Sequence, residues 1–99
     1  MTQFSSETKE KIAELCRKNK VRELSLFGSR VRGDNRPDSD YDFLIEFLPN
    51  SDVSLFEYVG MKLELEGLLG NEVDLVSKSG LKRRIKSGVL SEALEIYAG

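Results

Sequence analysis

The chain has 99 residues, 39% hydrophobic and 32% charged, which fits one small soluble domain over 1–99 and not a disordered polymer. Fifteen basic against seventeen acidic residues leave a net charge of −2, so nothing pulls the chain globally onto DNA, and no apolar run is long enough to span a membrane. The single Cys16 excludes an internal disulfide and points to a reducing, cytoplasmic setting.

Ser5 is placed to cap a helix on which Ile12, Leu15 and Cys16 fall at i, i+3 and i+4, with Asn19 as its stop. Cys16 on that stripe reads as core. Val21–Phe27 reads as a strand ended by Gly28, followed over 29–39 by a loop that opens on a short helical turn. Tyr41–Phe47 is the clearest strand. Tyr41, Phe43, Ile45 and Phe47 alternate onto one face, and Asp40, Asp42, Leu44 and Glu46 onto the other. The spacing predicts a helix over 54–69, opened by the capping box Ser54-x-x-Glu57 and closed by Gly70. It carries two apolar stripes, Phe56-Val59-Leu63 and Tyr58-Met61-Leu65-Leu68. One can cover a sheet, which leaves the other for a protein interface or a thicker core.

Residues 72–76 form a short strand with Asp74 opposite Val73 and Leu75. A basic segment follows (Lys78, Lys82, Arg83, Arg84, Lys86), then a closing helix with Val89, Ala93 and Ile96 at helical spacing. The fold class is therefore α/β (α+β), a small mixed sheet of about three to four strands flanked by helices. The helical crossover between the last two strands permits a parallel pairing there.

There are no histidines, which removes serine–histidine and cysteine–histidine catalysis and histidine-ligated zinc together. Chemistry must rest on carboxylates, hydroxyls and cations, the groups suited to hard metals and phosphates. Asp40 and Asp42 leave the same strand face with Cα atoms about 6.6 Å apart, close enough to lean together on one divalent ion or a pair. Asp74 joins that face if its strand is a near neighbour. Glu46 lies about 13 Å along from Asp42, too far to share its ion. Gly28 and Ser29 open a turn whose free N–H groups suit a triphosphate, and Arg30, Arg32 and Arg36 offer guanidinium groups in the same loop. Gly33 lets that loop bend back toward a ligand.

The run Gly28-Ser29-Arg30-Val31-Arg32-Gly33-Asp34-Asn35-Arg36-Pro37-Asp38-Ser39-Asp40-Tyr41-Asp42 resembles the signature of the minimal nucleotidyltransferases, the smallest members of the DNA polymerase β-like superfamily. Residues 72–76 resemble that family's third-carboxylate strand and 85–97 its closing segment, so the similarity spans nearly the whole chain. The segment Leu81-Lys82-Arg83-Arg84 departs from the family in lacking a proline. The resemblance implies that Gly28, Ser29, Arg30, Arg32, Arg36 and Ser39 bind a nucleoside triphosphate such as ATP. It implies that Asp40 and Asp42 hold two Mg²⁺ ions, and that Asp74 helps bind the second and deprotonates or orients the acceptor hydroxyl. Pyrophosphate would leave. It further implies a separate helical HEPN-domain partner, a toxin that the transferase adenylylates on tyrosine as its antitoxin.

Two other readings compete. In one the chain binds nucleotide without catalysis and neutralises its partner by occlusion; in the other it modifies a small molecule or an RNA end.

Overall fold

A computed structural model describes residues 4–33, 36–78 and 92–99. Helix α1 runs Ser6–Lys18, with the Ser5 side chain accepting from the Thr8 N–H and Asn19 as C-cap. β1 follows at Val21–Phe27, then the one-turn α2 at Ser29–Arg32, β2 at Tyr41–Phe47, and α3 at Leu55–Leu69. At α3 the Ser54 hydroxyl accepts from the Glu57 N–H at 3.2 Å, and Gly70 closes the helix in the left-handed conformation at φ 75. β3 occupies Val73–Ser77 and β4 Leu94–Ala98.

The four strands form one mixed sheet in the order β3-β2-β1-β4. β1 pairs antiparallel with both β2 and β4, whereas β2 and β3 are parallel, as their helical crossover allows. Both long helices pack on one face. Ile12 and Cys16 from α1 and Met61 and Leu65 from α3 are fully buried against Leu24, Leu26, Phe43, Ile45 and their neighbours. Burial pushes the Cys16 thiol up to about 12, so it is an inert core residue. The opposite face carries Ser25 and Leu44, both buried, together with the acidic residues of β2 and β3.

Only one stripe of α3 is covered. Phe56 is 93% exposed and Leu63 58%, while Met61 and Leu65 are sealed.

The end of the chain differs from the predicted closing helix. Residues 94–98 are a strand on the free edge of β1, with Leu24 opposite Tyr97 and Leu26 opposite Leu94. Leu94, Ile96 and Ala98 also fit a two-residue period, and the unpaired backbone of β1 decides between the two patterns. Val89 and the basic residues Lys82, Arg83, Arg84 and Lys86 lie outside the described residues. Lys78 stands 3.8 Å from Glu23 as an ion pair.

Candidate active site

Asp42 and Asp74 are register partners on adjacent parallel strands. Tyr41, Phe43, Val73 and Leu75 turn toward the helices, so the two aspartates project together from the other face. Asp40 lies just before β2 and is exposed. The three carboxylates act on one another. Burial, then the charges of Asp74 and Asp40, raise the Asp42 carboxyl above its ordinary value, and Arg32 opposes that shift. Among the described residues, no three such side chains are closed up into a ready metal cage.

Gly28 brings the turn that opens α2 to this spot. Its backbone has φ 80 and ψ −153, and a Cβ there would lie 2.5 Å from Asp42 Oδ2. A side chain is excluded both by conformation and by the carboxylate. The Gly28 carbonyl accepts from the N–H groups of Val31 and Arg32 at 3.1 and 3.2 Å, which winds α2 directly after the strand. The N–H groups of Ser29 and Arg30 open this turn and have no upstream carbonyl within it. Gly33, at φ 84, ends the turn with its N–H on Ser29 O at 2.9 Å.

The three loop arginines separate in role. Arg30 is buried. Its guanidinium donates from Nη2 to Ser39 O at 2.6 Å and to Pro37 O at 3.3 Å, and it lies 3.8 Å over the Tyr41 ring. This geometry braces the loop from within. Arg32 is exposed and stands 3.4 Å from Glu92. Arg36 is exposed, and its N–H donates to Ser39 Oγ at 2.8 Å. Ser39 thereby staples the tight turn that precedes Asp40, also donating its own N–H to Arg36 O at 3.0 Å. Glu46 pairs with Arg22 at 3.7 Å, away from the aspartates.

A cavity of about 700 Å³ opens beside Asp40, lined by Asp38, Glu66, Gly70, Asn71 and Glu72 among others. Of Asp40, Asp42 and Asp74, Asp40 alone lines it. The donor set around the site is all oxygen. Three mutually repelling carboxylates of this kind fit a hard divalent cation, which would relieve the strain on Asp42.

A mixed sheet with acidic side chains on two adjacent strands beside a glycine–serine turn defines a polymerase-β-like nucleotidyltransferase fold. The model of the nucleotidyltransferase domain matches residues 8–96, and the chain belongs to that family. The protein adenylyltransferase MntA of Thermococcus cleftensis is 44% identical over 85 residues, covering 84% of this chain and 82% of that one. A solved structure described as a candidate minimal nucleotidyltransferase is 38% identical with a TM-score of 0.76, over 95% of this chain and 98% of that one. A complex of tri-AMPylated Shewanella oneidensis HEPN toxin with MNT antitoxin contains a chain of the same fold. Its TM-score is 0.67 at 20% identity, over 94% of this chain and 71% of that one.

Tyr58 and Glu66 also bear on the site and were not singled out by the sequence patterns. Tyr58 reads as one more apolar-stripe residue, and nothing in the sequence patterns marks Glu66. The only sequence signal is that the two fall on one side of α3, two helical turns apart.

Proposed function

We propose that this chain transfers AMP from ATP to a tyrosine hydroxyl of a helical HEPN-domain partner in the cytoplasm, and so acts as the antitoxin of a toxin–antitoxin pair. The observation that carries the reading is the pairing of Asp42 with Asp74 across two strands, pressed against Gly28. The names of the archaeal adenylyltransferase and of the AMPylated toxin complex support the acceptor and the partner.

In this reading the N–H groups of Ser29 and Arg30, freed by the Gly28 turn, bind the triphosphate. Arg32 and Arg36, at the exposed rim of the same loop, meet phosphate oxygens. Arg30 and Ser39, which also hold the loop's shape, complete the nucleotide-binding set. Asp40, Asp42 and Asp74 would hold two Mg²⁺ ions, which supply charge neutralisation of the triphosphate and of the leaving pyrophosphate. Asp74 orients the acceptor hydroxyl and takes its proton. The tyrosine oxygen forms a bond to the α-phosphorus, the bond to the bridging oxygen breaks, and pyrophosphate departs with its electron pair.

The test is to mix the chain with a HEPN-domain partner, ATP and Mg²⁺, and to weigh both intact polypeptides. Adenylate increments on the partner are expected with the wild type, and none with Asp40→Asn. Transfer that persists in Asp40→Asn would overturn the reading. Equal neutralisation of the partner by wild type and by the Asp40→Asn/Asp42→Asn double variant would instead establish occlusion.

A further inference from the structure

Among the described residues β3 is the outer strand on its side of the sheet, so one flank of its backbone faces no described strand. The Tyr41 N–H donates to Glu72 O at 2.9 Å. In a parallel pair this turns the backbone groups of Glu72, Asp74 and Val76 toward β2, and those of Val73 and Leu75 outward. Both outward residues are met by α3. The Val73 N–H donates to Glu66 Oε2 at 2.9 Å, and the Tyr58 hydroxyl donates to Leu75 O. Lys62, between them on the helix, donates from Nζ to the same Glu66 oxygen at 3.2 Å. The Tyr58 ring is itself held by Phe47, with centroids 6.0 Å apart.

Val73 and Leu75 are the two chain neighbours of Asp74. Its own backbone is bound to β2, its neighbours' to α3, and its side chain is left to face Asp42. A five-residue strand pinned only from within would be the weakest support of any carboxylate at the site, since edge strands fray first.

We propose that Tyr58 and Glu66 are positioning residues for the transfer: from α3 they grip the outer edge of β3 on either side of Asp74 and keep its carboxylate opposite Asp42. The inference rests on the reaction proposed above. The hydrogen bond from Val73, together with Lys62, holds the Glu66 carboxyl below its usual range, as expected of an ionised acceptor. Neither residue belongs to the Gly28–Ser29 turn, so nucleotide affinity is expected to survive their loss.

The variants are Tyr58→Phe, which keeps the ring and removes only the hydroxyl, and Glu66→Ala, with Glu66→Gln restoring an acceptor oxygen. Tyr58→Phe and Glu66→Ala should each lower kcat about 10-fold or more while KM for ATP stays within about twofold. Glu66→Gln should recover most of the loss. Amide exchange at Asp74, whose N–H reports the pairing of β3 with β2, should accelerate in the two damaging variants. Glu64→Gln, an exposed change on the same helix, should alter neither readout. Unchanged Asp74 exchange overturns the clamp, even if the wild type transfers no adenylate and the functional reading has failed by itself. Faster exchange with kcat within about twofold of wild type overturns the catalytic consequence.

Discussion

At Gly28 the backbone occupies a region of φ and ψ that other residues reach only at a cost of about 1–3 kcal/mol, and the space for a Cβ is already filled by Asp42 Oδ2. Gly28→Ala is therefore expected to cost at least that much in a urea unfolding experiment and to remove adenylate transfer in the same preparation. Asp42 behaves in the opposite sense. Burial and two neighbouring negative charges oppose its ionisation, so the ionised form burdens the folded state. Asp42→Asn should melt at a higher temperature than wild type in EDTA at neutral pH, with transfer abolished. The gain should shrink as pH falls and the wild-type carboxyl takes up its proton. A lower melting temperature for Asp42→Asn would show that like-charge repulsion is not what strains this residue. The Gly28-Ser29 and Asp40-x-Asp42 spacing was legible because it is local. The fate of Arg30 was not, since three arginines in one loop look alike until Ser39, Pro37 and Tyr41 close around one of them.

Helix α3 works on both of its sides, and the two sides respond differently to substitution. Met61 and Leu65 are sealed in the core, so either one replaced by alanine should cost about 2–5 kcal/mol. Phe56→Ser, at 93% exposure, should change folding stability by less than about 0.5 kcal/mol. Equal losses in chemical denaturation would mean that the exposed stripe is packed in solution. Glu66 gives the helix a pH dependence. Its carboxyl is held below the ordinary range by the Val73 N–H and by Lys62, so its contribution is full above that range and is lost as pH falls through the folded value. Urea midpoints from about pH 6 down to about pH 3 should therefore fall more steeply for wild type than for Glu66→Gln. The capping residues Ser54 and Gly70 made the ends of α3 readable from sequence, because capping is settled within one turn. Its grip on β3 was hidden, since Tyr58 and Glu66 meet partners 17 and 7 residues away only after the sheet has formed.

Across the whole molecule, the two helices cover one face of the sheet and the carboxylates occupy the other, so the core and the chemistry do not compete for the same side chains. The alternation of Tyr41 to Phe47 announced that division, and the parallel register of Asp42 with Asp74 completed it. The misjudged element was β4. Leu94 and Ile96 satisfy either period, and a strand at the end of the chain is chosen by its distant partner, β1. Deleting residues 94–99 strips that partner from β1. The shortened protein is expected to lose cooperative unfolding by circular dichroism and to sediment as aggregates, because a hydrophobic strand edge is then bare.

The same pairing has a bearing on biosynthesis. Glu23 meets Ala98, 75 residues further along, so that flank of β1 stays vacant until the β4 segment has been made. Until then the nascent chain presents that flank to any extended peptide nearby, and maturation of the sheet waits on residues 94–98.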